Sequence, residues 1–104
     1  MAALHHPDAQ KIELVDVLAA LGHSVRIRIV RALVSGSEIY CGEILPDLPR
    51  SSLTHHWRVL RESGVIRQRP EGRKLYLTLR RDDLDLRFPG LVDIVLASTA
   101  HLKD

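Results

Sequence analysis

The stretch from Arg50 to Gly64, RSSLTHHWRVLRESG, constrains the fold most strongly because it reads as one short helix with two unlike faces. Leu53, Trp57 and Leu60 recur at helical spacing and predict a buried stripe. Serine, threonine, histidine and arginine occupy the other side, and the glycine is a typical left-handed residue at a helix end. The fold must therefore hold this helix by one side and leave the other side accessible.

The length and composition favour one globular domain. The chain has 104 residues, of which 45% are hydrophobic and 27% charged, and this length allows one small core. No apolar run approaches the roughly 20 residues that cross a bilayer, and the start MAALHHPDAQ lacks the pattern of a secretory signal. We expect a cytoplasmic protein with no membrane partner.

The first and last helices predict a second subunit. A helix over 8–21, with Asp8 as N-cap and Gly22 as stop signal, has apolar residues around well over half of its circumference. One small core cannot bury two faces, so we expect a homodimer. A last helix over about 89–102, with Pro89 at its first position, carries apolar residues that can pair with the first helix.

Between these helices, besides the helix that ends at Gly64, the sequence predicts two helical elements and a hairpin. Ser24 can cap a helix that runs to about Val34, and a short helical turn follows near 41–45. After the helix that ends at Gly64, VIRQRPEGRKLYLTL reads as two strands around Pro70-Glu71-Gly72 with a basic tip.

Together these elements predict a winged helix-turn-helix, mainly α with a small β-hairpin, as a single domain over 1–104. The helix-turn-helix spans about 38–63 and the wing about 65–79. A helix that enters the major groove needs one packing face and one face of short polar or cationic side chains. The candidate groove residues are Ser51, Ser52, Thr54, His55 and Arg58, and the candidate wing residues on the DNA backbone are Arg69, Arg73 and Lys74.

His55 and His56 do not form a metal pair on one helix. Neighbouring helical residues are about 100° apart, whereas metal pairs use the spacings i and i+3 or i+4. We expect His56, beside the buried stripe, to be packed and hydrogen-bonded. His55 points towards the proposed DNA side, where it either contacts the groove or is solvated.

The runs LGHSVRIRIVRAL, CGEIL and SSLTHHWRVLRESGVIRQRPEGRKLYLTL resemble the ArsR/SmtB family of small dimeric bacterial repressors, from about Leu21 to Leu79. The resemblance implies four helices, a hairpin wing and a fifth helix, with dimerisation through the first and last helices. It also implies a repressor that binds a pseudo-palindromic DNA operator and is released by an effector. The groove and wing residues named above occupy the matching positions.

Two departures from the family pattern concern the effector. Arsenic- and cadmium-type members carry Cys-x-Cys where this chain has Ile39-Tyr40-Cys41, and zinc-type members carry Asp-x-His where it has Asp93-Ile94-Val95. Neither metal site can be assembled. Four other histidines remain open as nickel or zinc ligands across a dimer, or as side chains with no shared role: His5, His6, His23 and His101. Cys41 is either a small apolar core residue or a thiol sensor.

The residues do not suggest an enzyme, because no nucleophile, base and orienting acid are marked by the sequence. The rival to DNA binding is a winged-helix module that contacts protein or RNA. A protein-docking surface usually exposes large apolar anchors, whereas the outward positions between 51 and 58 are small, polar or cationic. This difference favours duplex DNA.

Overall fold

The computed structural model describes residues 4–102 and has the winged helix-turn-helix architecture. Five α-helices surround a three-stranded antiparallel sheet, and two short 3-10 turns lie at 9–11 and 41–43. The helices are α1 (Leu14–Leu21), α2 (Ser24–Leu33), α3 (Arg50–Ser63), α4 (Arg81–Arg87) and α5 (Leu91–Ser98). The strands are β1 (Ile39–Tyr40), β2 (Ile66–Glu71) and β3 (Lys74–Leu79), in the order β1-β3-β2.

The predicted first helix is interrupted. A 3-10 turn covers Ala9–Lys11, Ile12 is extended, and α1 begins only at Leu14. Asp8 precedes the turn and its side chain makes no capping hydrogen bond, so its predicted role was wrong. Ile12 leaves the helical path because it fills the core, where it is 1% exposed and lies against Gly64.

The start of α2 also differs from the prediction. His23, rather than Ser24, is the N-cap, and its Nδ1 accepts a hydrogen bond from the Val25 amide at 3.1 Å. Beyond α2, residues 39–40 form a strand that pairs with β3, and only Cys41–Glu43 is helical, as a 3-10 turn. The pairing of Ile39 with Leu77 makes this stretch extended.

Helix α3 matches the prediction closely. Pro49 is its extended N-cap, and Gly64 ends it with a φ of 92°. Leu53, Trp57 and Leu60 are all buried, as their spacing predicts. The helix therefore packs on α1, α2 and β2 along one side.

The hairpin turn begins two residues further along the chain than predicted. Pro70 and Glu71 belong to β2, where they pair with Leu75 and Lys74, and the turn is formed by residues 72–73, with Gly72 at a φ of 61°. The strand β2 is at an edge of the sheet. Its Gln68 amide faces outwards and donates to His6 Nε2 at 3.0 Å.

The C-terminal part contains a helix that the sequence did not predict. Residues 81–87 form α4, and the chain then turns at Gly90, whose φ is 87°, before α5 begins at Leu91. Pro89 therefore lies before the cap rather than at the first helical position. The predicted helix over 89–102 shortens to Leu91–Ser98, and Arg31 Nη1 of α2 donates to the Leu96 carbonyl oxygen at 2.8 Å.

The N-terminal segment, residues 4–12, is fastened to the domain by side chains that hold its carbonyl oxygens. Arg61 donates to the His5 carbonyl at 3.2 Å, and the buried Arg80 donates to the Pro7 carbonyl at 2.8 Å. His6 Nδ1 lies 3.2 Å from the Leu4 carbonyl oxygen, so the tautomer with a proton on Nδ1 satisfies both ring nitrogens. The contact with Gln68 therefore requires a neutral His6.

We expect this segment to loosen in acid. Burial, followed by the charges of Arg67 and Arg61, lowers the pKa of His6. A lowered histidine pKa contributes stability that is complete above about pH 6.5 and is lost as the pH falls through the folded-state value. Because a glutamine oxygen can also accept from Gln68 but does not titrate, His6→Gln should lose less stability than the wild type between about pH 7.5 and 5.

Urea denaturation at several pH values measures this difference. His5→Gln is the matched control, because the exposed His5 side chain has no hydrogen bond described within residues 4–102. It should keep the wild-type pH profile. Identical profiles for all three proteins would contradict the role of His6.

Candidate nucleic-acid interface

The outward face of α3 brings the five predicted groove residues together. Each of these side chains is exposed: Ser51, Ser52, Thr54, His55 and Arg58. The hydroxyl of Ser52 donates to the Pro49 carbonyl at 3.2 Å, and that of Thr54 donates to the Arg50 carbonyl at 3.1 Å. Their oxygen lone pairs therefore remain available as acceptors, whereas Arg58 offers only donors.

Two exposed cationic side chains of α3 have no ion-pair or hydrogen-bond partner among the described residues. They are Arg58 and Arg50, and Arg50 is the first residue of α3. Sequence reasoning did not single out Arg50. Its position directly before Ser51, at the end of the proline-bounded segment, was the available signal.

Polar contacts on the inner side of α3 connect this helix to α2 and to the end of α1. Arg26 of α2 donates to His56 Nδ1 at 3.2 Å and to the Ala20 carbonyl at the end of α1. The rings of His23 and His56 have centroids 4.6 Å apart. His56 is thus packed and hydrogen-bonded, which confirms the prediction for it.

The charge state of His56 follows from this environment. Burial, then the neighbouring His23 and Arg26, lowers the pKa of His56. The ring is therefore neutral at neutral pH, so that its Nδ1 can accept from the Arg26 guanidinium. His56 supports the helix from its inner side, whereas His55 remains on the outer side.

The wing residues differ in their pairing. Arg69 donates to both carboxylate oxygens of Glu38 at 2.8 Å and to Glu71 at 2.8 Å, and its guanidinium lies 5.0 Å from the centre of the Tyr76 ring. These carboxylates raise the pKa of Arg69 further above its already high value. Arg69 is therefore engaged within the domain.

The tip of the wing keeps its positive charge. Lys74 lies with its Nζ 4.9 Å from the centre of the Tyr40 ring, and Arg73 is exposed in the turn. Neither side chain has an acidic partner within residues 4–102. Arg73 and Lys74 are consequently the wing cations best placed to meet phosphate groups.

The four candidate metal ligands have different surroundings within one chain. His6 binds the Gln68 amide and His23 caps α2, while His5 and His101 are exposed. Residues 4–102 contain no cluster of three or more histidine, cysteine or acidic side chains suited to a metal ion. Cys41 is 5% exposed, so the thiol is a buried core residue in this arrangement.

This fold and surface agree with the similarity of the sequence to known proteins. Residues 21–69 match a family described as a helix-turn-helix domain. The HTH-type transcriptional regulator YceK of Bacillus subtilis is 32% identical over 81 residues, which are 75% of this chain and 81% of that protein. The chain belongs to the ArsR/SmtB family.

Another relative is the ArsR protein of Halobacterium salinarum, named for an arsenical resistance operon repressor. It is 36% identical over 81 residues, which are 73% of this chain and 63% of that protein. Two solved structures of HlyU from Vibrio cholerae, one of them in the reduced form, share the fold at 23% identity. Their TM-scores are 0.68 and 0.65, and the matches cover 83% and 81% of this chain and 90% and 85% of the HlyU chains.

As a member of the ArsR/SmtB family, the protein is a DNA-binding transcriptional regulator. Its relatives are regulators rather than enzymes. Among the described residues, no helix has the length and apolar character needed to span a bilayer.

The buried stripe of α3 should contribute more to the folding stability of the domain than the exposed face of the same helix does. Leu60 is 0% exposed, and Leu60→Ala should lower the free energy of unfolding by about 2–5 kcal/mol because it removes apolar contacts and leaves a cavity. Arg58→Ala, two residues away on the exposed side, should change it by less than about 0.5 kcal/mol. Urea denaturation monitored by circular dichroism distinguishes these effects. An equal loss in the free energy of unfolding for both variants would refute the assignment of one buried and one exposed face to α3.

Proposed function

We propose that this ArsR/SmtB protein binds a pseudo-palindromic DNA operator as a homodimer, represses transcription there, and is released by an effector. The observation that carries the proposal is the outer face of α3, which exposes small polar and cationic side chains. The inner side of this helix is buried, and its His56 is hydrogen-bonded to Arg26 of α2. A cytoplasmic location is part of this proposal, since the operator is its target.

In the proposed complex, α3 enters the major groove with its N-terminal half towards the bases. Ser51, Ser52, Thr54 and His55 offer short donors and acceptors, and Arg58 reaches a base edge or a phosphate. The wing lies along the adjacent backbone, where Arg73 and Lys74 neutralise phosphates. Arg69 has a supporting part, because its carboxylate partners hold the base of the wing.

The proposed dimer uses the outward faces of α1 and α5. Val17, Ala20 and Leu21 of α1 are buried in the chain's own core. On its outer side, Val15 is 76% exposed and Leu18 is 51% exposed. Adjacent exposed apolar side chains of this kind typically mark a contact surface. A second copy would cover this face, and the exposed Ile94 of α5 can extend the contact.

Substitutions on the two DNA-contacting elements should have different effects. Arg58→Ala should weaken operator binding by about 1–3 kcal/mol if the guanidinium reads a base. Lys74→Ala should weaken binding to all duplexes and reduce the dependence of log K on log salt by about one unit. Both are measured by fluorescence anisotropy at several salt concentrations, on an operator selected from a random DNA pool.

Lys11→Ala is the control, because Lys11 is an exposed cation of the N-terminal 3-10 turn with no described partner within residues 4–102. Its operator affinity should equal that of the wild type. Unchanged affinity in both Arg58→Ala and Lys74→Ala would disprove the docking. Retention of RNA in place of duplex DNA would favour the rival interaction module.

The dimer surface can be tested with two equally apolar sites. Leu18→Glu places a charge in the proposed contact, so it should shift the protein to monomers and lower operator affinity by at least about tenfold. Leu86→Glu is the matched control, because Leu86 is 78% exposed on α4, a helix that the proposed contact does not include. Sedimentation velocity gives the oligomeric state. A wild-type protein that is monomeric at micromolar concentration would overturn the proposed dimer.

A further inference from the structure

The surface between α3 and the wing contains a tyrosine whose ring lies near one cation from each element. Tyr40 ends β1 and is the N-cap of the 3-10 turn at 41–43, from which the chain leads to α3. Because Tyr40 pairs with Tyr76, its side chain lies on the face of the sheet opposite to the buried Leu77. The ring is partly exposed where the chain passes from the sheet towards α3.

On the wing side, the neighbour of Tyr40 is Lys74, the first residue of β3. Its Nζ lies 4.9 Å from the centre of the Tyr40 ring, a distance at which the ring quadrupole attracts an ammonium group. Lys74 has no acidic partner within residues 4–102. The ring therefore orients the ammonium group without neutralising its charge.

On the α3 side, the neighbour of Tyr40 is Arg50. A Cβ atom added to Gly42 would lie 2.8 Å from Tyr40 Cζ and 3.1 Å from Arg50 Nη2. Both groups therefore lie beside the same point of the 3-10 turn, and the absence of a side chain at Gly42 permits this approach. Because Cζ carries the hydroxyl oxygen, the hydroxyl end of Tyr40 is the part of the ring close to the guanidinium.

The donors of this cluster, defined as Tyr40, Arg50 and Lys74, are not used within the described part of the domain. The Tyr40 hydroxyl and the Arg50 guanidinium have no hydrogen-bond partner among residues 4–102. Glu43, the acidic residue of the 3-10 turn, forms no ion pair with either cation in the same range. The cluster thus offers one neutral and two charged donors to an acceptor from outside.

We propose that the Tyr40–Arg50–Lys74 cluster binds a phosphate group of the DNA backbone between the major groove and the wing. A guanidinium suits phosphate because it offers paired N–H donors, and an ammonium group adds a compact charge. A tyrosine hydroxyl donates one further hydrogen bond to a phosphate oxygen. Such contacts carry no sequence information, but they fix the position of the protein on the duplex.

The place of the cluster favours the backbone of a duplex over other anions. Arg50 directly precedes Ser51, the first proposed groove residue, and Lys74 directly follows the wing turn at 72–73. This step rests on the proposed function, because a duplex held by both α3 and the wing extends across Tyr40. A free phosphate ion would meet the same donors on an open surface without those additional contacts, so it should bind far more weakly.

The neutral and the charged donor should give different dependences on salt. Tyr40→Phe removes the hydroxyl and keeps the ring, so it should weaken binding about tenfold at every salt concentration and leave the slope of log K against log salt unchanged. Arg50→Gln removes a charge, so it should weaken binding and reduce the slope by about one unit. Fluorescence anisotropy on a short duplex of random sequence measures both quantities.

Two control variants are matched to these changes. Tyr76→Phe removes the hydroxyl of the neighbouring tyrosine, and Lys11→Gln removes a charge from the N-terminal 3-10 turn. Both should bind the duplex like the wild type. Combining Tyr40→Phe with Arg50→Gln should cost less than the product of the two single losses, because both donors serve one phosphate. A wild-type midpoint in urea denaturation verifies that each variant is folded.

The outcomes separate this site from the proposed function. Wild-type affinity in Tyr40→Phe, an unchanged salt slope in Arg50→Gln, or multiplicative losses in the double variant would overturn the site, whatever the operator preference. Equal affinity of the wild type for operator and random duplex, together with the expected losses in the variants, would keep the site and refute sequence-specific repression. A wild-type protein that retains no duplex of either kind would overturn both.

Discussion

The packing of α3 through Leu53, Trp57 and Leu60 is the interaction on which the rest of the structure depends. These side chains are buried against α1, α2 and β2, so they fix both the axial position and the rotation of the helix. Rotation matters because each outer side chain is about 100° from its neighbour. If α3 could rotate about its axis, a different set of side chains would be exposed, and the surface would offer different hydrogen-bond donors and acceptors.

Arginine side chains organise the domain around this helix through backbone oxygens as much as through carboxylates. Arg26, Arg31, Arg61 and Arg80 each donate to the carbonyl of another segment. A guanidinium has several donors in one plane, so it can satisfy carbonyls at the ends of irregular segments where no helix or sheet does so. Several of the 15 lysine and arginine residues therefore connect segments of the domain. The formal net charge of only +2 does not reveal that a few cations at α3 and the wing tip are unpaired.

The sequence predicted those elements whose signal is local. The apolar spacing of α3 and its glycine stop were sufficient, and so was the alternation along the wing. The break at Ile12 and the helix α4 were missed, because each depends on contacts with distant residues. The cap by His23 was missed although its hydrogen bond with the Val25 amide is local. The outer residues of α3 were placed on one face correctly, but periodicity could not reveal that Glu38 engages Arg69. Their contacts with DNA stay predictions.

The edge of β2 has a consequence for how the protein behaves at high concentration. The outward amide of Gln68 is occupied by His6, and Pro70, two residues further along the same strand, has no amide hydrogen. A foreign strand approaching this edge meets neither donor, so strand addition and fibrillar aggregation lose their usual starting point. The tip of the wing can thus expose its cationic side chains, while the β2 edge offers no free amide at Gln68 or Pro70 for pairing with another strand.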